Sequence, residues 1–566
     1  MVASSLQQRL FSQLSRGSGS ASAGNRLSLI LFSILFMLWG NAGFSQTNYT
    51  VFELERGQTA NWQPMVTRDL NGDGRLDLIV GHYLPEIGRE LHIYHQQSDG
   101  TFANSPQRIE IKTEIIAVDF ADQRSEPGEE LLLFASNGVY SLSTALEGYA
   151  GNIKLLLQWE LIATVPDSKQ VQFVELASDI NGDGLVDLLL PGDEIYGFFK
   201  GIGDESFELV SSFTTLNRNL TAAQRNSSGD NLSASISINP QQGVVIDVSG
   251  QGSSPFSGFI EQWVDTESNA AEESEKDVAS QSQRSVRDRV SNSLLRTENW
   301  MATALLAALN SDELQDIIYL NVGDDGLGQL NIHYQDAETG FQQLPDWTGS
   351  INTSGDIQLV DMNQDQRMDL LRLSGNGNDA SARLYLNHQG TFDLDQPDQV
   401  MRFSGYDVRL NFIALQAGSA PSLNVSYYTL PVIDVIRNAS INRTQLVYAA
   451  ENASPSGGLE RLFMRRPASR LEESFSATNV LALAEPMSLH YDVDGDGSRD
   501  AMYITENGTL AAKHINAQLQ IADQPFWEYV SANSVFEFEV LHLNGDNYPD
   551  LILRHSSTTS ILVATP

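Results

Sequence analysis

A nine-residue segment rich in aspartate recurs at wide intervals and constrains this chain more than any other feature. Its first copy reads Asp-Leu-Asn-Gly-Asp-Gly-Arg-Leu-Asp from Asp69, with oxygen-bearing side chains at positions 1, 3, 5 and 9. Ca²⁺ takes such hard oxygen ligands, and the glycine at position 6 permits the sharp turn that folds them around one ion. The segment therefore predicts a calcium loop.

Strong copies of the segment begin at Asp69, Asp179, Asp361 and Asp492, and each is named below by its first residue. The predicted ligands are the side chains at positions 1, 3, 5 and 9 and the backbone carbonyl at position 7. They are Asp69, Asn71, Asp73, Arg75 and Asp77; Asp179, Asn181, Asp183, Leu185 and Asp187; Asp361, Asn363, Asp365, Arg367 and Asp369; Asp492, Asp494, Asp496, Ser498 and Asp500. We expect about three or four Ca²⁺ per chain. The Asp361 loop has Gln366 at the glycine position, where a left-handed turn costs about 1 kcal/mol and should weaken binding.

Weaker copies follow the same plan with fewer carboxylates. Residues 310–316 keep only positions 3, 5 and 9, and residues 542–550 have His542 in place of the first aspartate. Around residues 119–130 the loop is longer and its register is lost. The sequence leaves metal binding at 119–130 and 310–316 open, and it predicts a weak or empty site at 542–550.

The EF-hand is the main alternative for such a loop, because it uses a similar ligand spacing. An EF-hand needs a bidentate glutamate at position 12 and a helix on each side. Position 12 is Val80, Leu190, Arg372 and Tyr503 in the four loops, and position 9 opens directly onto short apolar runs of strand length. Each loop is therefore predicted to join two β-strands.

An Asp-x-Asn-x-Asp-Gly-x-x-Asp-Leu loop between strands resembles the FG-GAP/VCBS repeat, which is found in integrin α-subunit propellers and in many secreted bacterial proteins. Gly-x-Phe or Gly-Phe follows three of the loops, at Gly100–Phe102, Gly340–Phe341 and Gly390–Phe392, as in that repeat. The resemblance covers most of the chain after residue 48. It implies an all-β fold, a β-propeller of four-stranded blades with calcium loops between the first two strands of several blades.

The spacing of the repeats sets the expected number of blades. A period of roughly 50 to 60 residues is typical of propeller blades and predicts seven or eight. The stretches 233–248 and 410–430 each read as two strands, but neither stretch has a calcium loop between its own two strands. Both are candidates for blades without metal. Residues 48–57 alternate like a strand, and we expect them to pair with the C-terminal strands near 551–553 and 561–564, which would close the ring.

The first 45 residues have the pattern of a signal peptide. Arginines at 9, 16 and 26 precede an apolar run from Leu29 to Trp39, which small residues follow. Because the run is short for a membrane span, we expect cleavage, no stable membrane insertion afterwards, and a secreted or periplasmic protein. An uncleaved N-terminal anchor is the alternative. Residues 46–566 are then predicted to form a single propeller, with a disordered polar insertion at 265–292.

The amino-acid composition excludes several kinds of site and disfavours some classes of binding partner. The chain has no cysteine, which excludes disulfides, zinc–thiolate sites and cysteine nucleophiles. Its formal net charge of −38 disfavours nucleic acids and anionic membranes. The expected partner is an extracellular or periplasmic protein or a glycan.

The sequence contains no motif for catalysis. It lacks Gly-x-Ser-x-Gly, the phosphate-binding Gly-x-x-x-x-Gly-Lys and His-Glu-x-x-His, and we predict no catalytic residues. The resemblance implies a calcium-binding propeller that acts as a non-catalytic binding, adhesion or scaffold protein at the cell exterior. The alternative is a carbohydrate-active propeller, either lectin-like or a polysaccharide-degrading enzyme.

Overall fold

The computed structural model describes residues 48–565 with gaps. The longest gaps are 215–234, 248–292, 295–304, 430–439, 452–461 and 477–486, and shorter ones include 56–62 and 162–168. The predicted signal peptide and the predicted insertion at 265–292 lie outside the described residues. Within the described part of the chain, no helix is long and apolar enough to cross a membrane.

Residues Thr50–Ala564 form one compact unit, an eight-bladed β-propeller of antiparallel four-stranded sheets. Blade 1 contains β2 (Met65–Arg68), β3 (Asp77–Leu84), β4 (Gly88–Tyr94) and β5 (Gln107–Ile111). Blade 2 contains β6 (Ile115–Ala121), β7 (Glu130–Ala135), β8 (Gly138–Leu142) and β9 (Lys154–Gln158). Blade 3 contains β10 (Ala177–Ser178), β11 (Asp187–Pro191), β12 (Ile195–Gly201) and β13 (Phe207–Thr214). Blade 4 contains β17 (Leu305–Ala307), β18 (Asp316–Val322), β19 (Leu327–His333) and β20 (Trp347–Asn352).

The second half of the chain repeats this order. Blade 5 contains β21 (Asp356–Val360), β22 (Asp369–Asn376), β23 (Asp379–Tyr385) and β24 (Gln399–Ser404). Blade 6 contains β25 (Tyr406–Ile413), β26 (Ser422–Thr429), β27 (Ser440–Tyr448) and β28 (Ser469–Ser476). Blade 7 contains β29 (Ser488–Tyr491), β30 (Asp500–Ile504), β31 (Leu510–Lys513) and β32 (Trp527–Tyr529). Blade 8 contains β33 (Glu537–Leu541), β34 (Asp550–Arg554), β35 (Thr558–Thr565) and β1 (Asn48–Glu55).

The first strand of the chain closes the ring, as predicted. β1 is the outer strand of blade 8 and lies beside β35. Its Leu54 is buried in an apolar cluster that joins blade 8 to blade 1, and its Phe52 packs edge-on against Tyr94 at 5.3 Å between ring centroids. Covering the last blade with the first strand leaves no long unpaired edge at the ring closure.

Apolar side chains pack between adjacent blades and hold the ring together. Five further buried clusters join blades 1 and 2, 2 and 3, 3 and 4, 4 and 5, and 5 and 6, and another joins blade 6 to blade 7. The strands that start after a loop supply much of this core, because both of their faces lie against neighbouring blades. β7, for example, is buried along its whole length. Such runs read in the sequence as continuous rather than alternating hydrophobicity.

The two candidate blades without metal have different outcomes. The run at 410–430 belongs to blade 6, which is a complete four-stranded blade. The run at 233–248 is instead an isolated hairpin of β14 (Ser235–Asn239) and β15 (Gly243–Asp247), so its interpretation as a blade is wrong. A two-residue strand, β16 (Ser293–Leu294), adds to the inner edge of blade 5.

Candidate metal centre

Every strong copy of the segment lies between the first and second strands of a blade, in blades 1, 3, 5 and 7. Within the Asp69 loop, Oδ1 of Asp69 accepts hydrogen bonds from the N–H groups of Gly72 and Asp73 at 2.7 and 3.2 Å, and Oδ2 accepts one from Gly74 at 2.7 Å. Asn71 then accepts from Asp73. Most of these bonds recur in the other three loops. Backbone donors therefore set the rotamers of the predicted ligands.

The aspartate at position 9 has a structural role of its own. Asp187 is fully buried; its Oδ2 accepts hydrogen bonds from Ile180 and Asn181 N–H at 3.0 and 3.1 Å, and its Oδ1 accepts one from Gly201 at 2.9 Å. The carboxylate thus ties the loop to the end of the third strand of its blade. Equivalent bonds are made by Asp77, Asp316, Asp369 and Asp550. Blades 4 and 8 keep this tie although their loops have lost other ligands.

Two positions of each loop adopt left-handed backbone conformations. Positions 4 and 6 are glycine in blades 1, 3 and 7, all with φ between 71° and 86°. Blade 5 has Gln364 and Gln366 there, with φ of 59° and 70°. The predicted left-handed turn at Gln366 is confirmed. The second strained position, Gln364, was not predicted, although the glycine at position 4 of the other copies is visible in the sequence.

A side-chain cation contacts the position-5 aspartate in three of the four loops. Arg75 Nη2 pairs with Asp73 Oδ2 in blade 1. Lys200 Nζ lies 2.8 Å from Asp183 Oδ2 in blade 3. Arg367 Nη2 lies 2.6 Å from Asp365 Oδ2 in blade 5.

These cations change the electrostatics of their loops. The hydrogen bond from Lys200 lowers the pKa of Asp183. Burial raises the pKa of Asp365, but hydrogen bonds from Arg367 and Asn363 outweigh it, and the net shift is downward. A carboxylate oxygen that already pairs with a cation is a weaker ligand, because an incoming metal must displace that cation.

Blade 7 lacks such a cation. Position 7 is Ser498, and no ion pair reaches Asp496 from any described residue. One carboxylate oxygen from each of Asp492, Asp494 and Asp500 lies within 4.8 Å of the others. Among the residues that the structure describes, no other group of three metal-ligating side chains converges in this way.

The three carboxylates repel one another and Asp500 is buried, so keeping all of them ionised without a counter-ion is energetically unfavourable. Burial raises the pKa of Asp500 to about 6, and the negative charge of Asp494 adds to the rise. His514 Nδ1 lies 3.3 Å from Asp500 Oδ1 and 3.9 Å from Asp494 Oδ2, and its ring stacks on Phe526 with 3.8 Å between centroids. A divalent cation at this point would relieve the repulsion between the carboxylates.

The donor set of blade 7 fits calcium. All three converging groups are carboxylates, the hard oxygen ligands that Ca²⁺ prefers over softer metals. Asp492, Asp494 and Asp500 would hold the ion, and the ion would supply charge neutralisation. The sequence predicted all three residues. It did not predict Lys200 or His514, because Lys200 lies on the third strand of its blade and His514 directly follows the third strand, so both lie outside the segment.

The weaker copies are built around other contacts. In blade 2, Glu130 takes the place of the position-9 aspartate and accepts hydrogen bonds from Gln123 and Arg124 N–H. The buried Arg124 guanidinium fills the loop and donates to Ser141 and Asn152. In blades 4 and 8, the position-3 asparagine donates to the position-5 aspartate at 2.9 Å, as Asn363 also does in blade 5 at 3.1 Å. The asparagine amide thus contacts Oδ2 of the position-5 aspartate, the same oxygen that Arg75 contacts in blade 1 and Lys200 contacts in blade 3.

Comparison with known sequences and structures bears on the fold. Residues 69–123 match the FG-GAP-like repeat family. No curated protein matches the chain. A solved structure of an Agrocybe aegerita lectin that recognises non-reducing terminal N-acetylglucosamine is similar over 82% of this chain and 80% of its own, with 11% identity and a TM-score of 0.33.

Two further solved structures show distant similarity. An exotype rhamnogalacturonan lyase, YesX, is similar over 92% of this chain and 75% of its own, with 13% identity and a TM-score of 0.30. The Photorhabdus luminescens Tc holotoxin pore is similar over 84% of this chain and 18% of its own, with 13% identity and a TM-score of 0.27. At these TM-scores the three structures do not bear on the activity of the chain.

The matched residues 69–123 contain the Asp69 loop, and loops of the same construction recur around the ring. The chain is therefore an eight-bladed β-propeller that contains an FG-GAP-like repeat at residues 69–123.

Proposed function

We propose that this propeller is a calcium-stabilised, non-catalytic binding or scaffold protein that acts outside the cytoplasm. The observation that carries the proposal is the convergence of Asp492, Asp494 and Asp500 oxygens within 4.8 Å. Three carboxylates so close together repel one another, and a bound cation with hard oxygen preference removes that repulsion.

The loops are expected to bind calcium with different strengths. Blade 7 has four carboxylates and no side-chain cation at position 5 among the described residues, so it should bind most tightly. Blades 1, 3 and 5 should bind more weakly, since calcium there must displace Arg75, Lys200 or Arg367 from a ligand oxygen. Blade 5 carries the additional strain of two left-handed glutamines.

A location outside the cytoplasm is consistent with both the N-terminal sequence and the expected calcium affinity. The sequence pattern of residues 1–45 favours export. Exposed calcium loops in extracellular modules typically have affinities in the submillimolar to millimolar range, which match calcium concentrations outside the cell. The net charge of −38 further favours a protein or glycan partner over nucleic acid or anionic lipid.

A thermal melt of residues 46–566 in EGTA and in a calcium series tests the calcium role. We expect the melting temperature to rise with calcium, because a ligand at 100 times its Kd stabilises the folded state by about 2.7 kcal/mol. An unchanged melting temperature up to millimolar calcium would contradict the proposal.

A polysaccharide screen separates binding from catalysis. The protein is passed over immobilised polysaccharides, and both its retention and the release of reducing ends are measured. Retention without release supports a binding role. Release of reducing ends would instead establish the carbohydrate-active alternative.

A further inference from the structure

A cavity of about 440 Å³ opens where blade 5 meets blade 6. Its lining includes Asp398, Val400 and Arg402 at the outer strand of blade 5, Tyr448 at the end of β27, and Arg465 in the connection between β27 and β28. Its volume lies within the range of small-molecule sites. The cavity lies on blades 5 and 6, apart from the blade 7 loop.

The side of the cavity that carries Arg465 is fastened to blade 5. The buried Gln399 side chain accepts hydrogen bonds from Leu462 and Phe463 N–H, both at 2.9 Å, and donates to the Phe463 carbonyl at 3.0 Å. Asp398 is fixed in turn, because its Oδ2 accepts a hydrogen bond from Leu386 N–H at 2.7 Å. These contacts fix the backbone next to Arg465 and the carboxylate of Asp398.

Two arginines line this cavity, Arg402 and Arg465. Neither Arg402 nor Arg465, both exposed, makes a hydrogen bond or ion pair with any other described residue. Nearby Arg409 and Arg470, for comparison, pair with Asp407 and Glu472.

We propose that this cavity binds a saccharide that bears a carboxylate, such as a uronic acid residue within an oligosaccharide. Guanidinium groups bind carboxylates through two parallel, charge-assisted hydrogen bonds, and two such groups line the cavity. This proposal deepens the binding role proposed above and rests on it, since it names the class of ligand.

The rest of the lining favours a sugar acid over other carboxylates. Val400, which is 45% exposed, offers apolar surface to a sugar ring, while Asp398 offers an acceptor to hydroxyl groups. A fatty acid would leave that acceptor facing a hydrocarbon chain, at the cost of burying an unsatisfied polar group. A polyanion would be repelled by the strong negative charge of the whole chain.

Calorimetry with a matched pair of trisaccharides tests the proposal on the chain from residue 46 onward. The acidic probe is glucuronic acid linked to xylobiose, and the neutral probe is xylotriose. We expect the acidic probe to bind and the neutral probe to bind at least about tenfold more weakly, since it lacks the carboxylate. Arg402→Gln and Arg465→Gln should each weaken binding of the acidic probe about tenfold, and the double variant should abolish it.

Arg470→Gln is the control, because Arg470 is exposed but already paired with Glu472 and does not line the cavity. It should leave the affinity unchanged. Equal binding of the two probes, equal binding by wild type and the double variant, or no binding by wild type would each overturn the proposal. Tighter binding of triglutamate than of the acidic trisaccharide would also overturn it in favour of an acidic peptide.

The same proteins are titrated with calcium in parallel. Uronate binding without a calcium response would refute the calcium role while leaving this ligand assignment standing. A calcium response without uronate binding would refute only this ligand assignment.

Discussion

The loops of blade 1 and blade 7 have the same construction and different electrostatics. In both, the position-1 aspartate accepts hydrogen bonds from the backbone of positions 4, 5 and 6, and glycines adopt the left-handed turns. Among the five predicted ligand positions they differ at two, position 3, which is Asn71 or Asp494, and position 7, which is Arg75 or Ser498. Blade 1 therefore supplies its own cation, whereas blade 7 concentrates negative charge. The shared positions build the loop, and the two variable positions decide how strongly it attracts a metal.

The largest expected effect concerns the tie that the position-9 aspartate makes to the end of the third strand in blades 1, 3, 4, 5 and 8. Asp187→Ala would leave the N–H groups of Ile180, Asn181 and Gly201 without their acceptor. Each buried donor left unpaired costs about 1–3 kcal/mol, so a loss of about 3 kcal/mol or more is expected even in EGTA. Chemical denaturation in EGTA measures it.

The matched control is Asp183→Asn at position 5 of the same loop. Asp183 is partly exposed and contacts Lys200 at the surface, so its replacement should change the free energy of unfolding by less than about 1 kcal/mol. If the two variants were equally stable in EGTA, position 9 would have no structural role independent of metal.

A second prediction concerns Asp494, the carboxylate at position 3 of the blade 7 loop, where the other three strong loops have asparagine. Asp494→Asn gives blade 7 the position-3 residue of the other loops and removes one of three converging anions. We expect the tightest calcium affinity of the chain to fall about tenfold or more, because a lost charge-assisted contact costs about 1.5–3 kcal/mol. Isothermal titration calorimetry measures it. Asn71→Asp is the reciprocal change and should raise the calcium affinity of the Asp69 loop.

Blade 5 allows a test of backbone strain alone. Gln366→Gly should stabilise the protein by about 1 kcal/mol, because glycine adopts the left-handed conformation without a steric penalty. The N–H of residue 366 would still donate to Asp361. Denaturation in EGTA checks the gain. Gln396→Gly, at an exposed loop position without positive φ, should instead be neutral or destabilising; a gain there of the same size would refute the strain argument.

The smallest predicted effect is that of the internal cations. Arg75→Gln frees an oxygen of Asp73 and should raise the calcium affinity of the Asp69 loop by about two- to fivefold, as expected for a partly exposed ion pair. Ser498→Arg should lower the calcium affinity of the Asp492 loop in blade 7 by a similar factor. Calcium titrations at low and high salt measure both effects, which should shrink as salt increases. Opposite signs would show that the arginines assist metal binding.

Much of the fold could be predicted because the loop segment fixes its own surroundings. Position 9 opens onto an apolar strand in every copy, so the loop, the strand pair and the blade follow from one motif. The strand that closes the ring could be predicted from its position before the first loop. The hairpin at 235–247 was misjudged because strand-like alternation does not say whether a hairpin joins a blade.

The residues of the candidate metal sites could be predicted by position, but the side chains from elsewhere that contact them could not. Lys200 comes from β12, seventeen residues after its partner Asp183, and no spacing in the sequence links the two. His514 follows β31 and reaches Asp500 only through the pairing of β30 with β31. The cavity between blades 5 and 6 joins residues from two repeats, and so nothing within one repeat indicates it.

Calcium titration of residues 46–566 by calorimetry, with wild type beside Asp494→Asn, measures whether blade 7 holds the strongest calcium site. We expect one site tighter than the rest in wild type, loss of that site alone in the variant, and weaker sites unchanged in both. Identical titrations of the two proteins would contradict it, because they would show that the converging carboxylates of blade 7 do not form the principal calcium site.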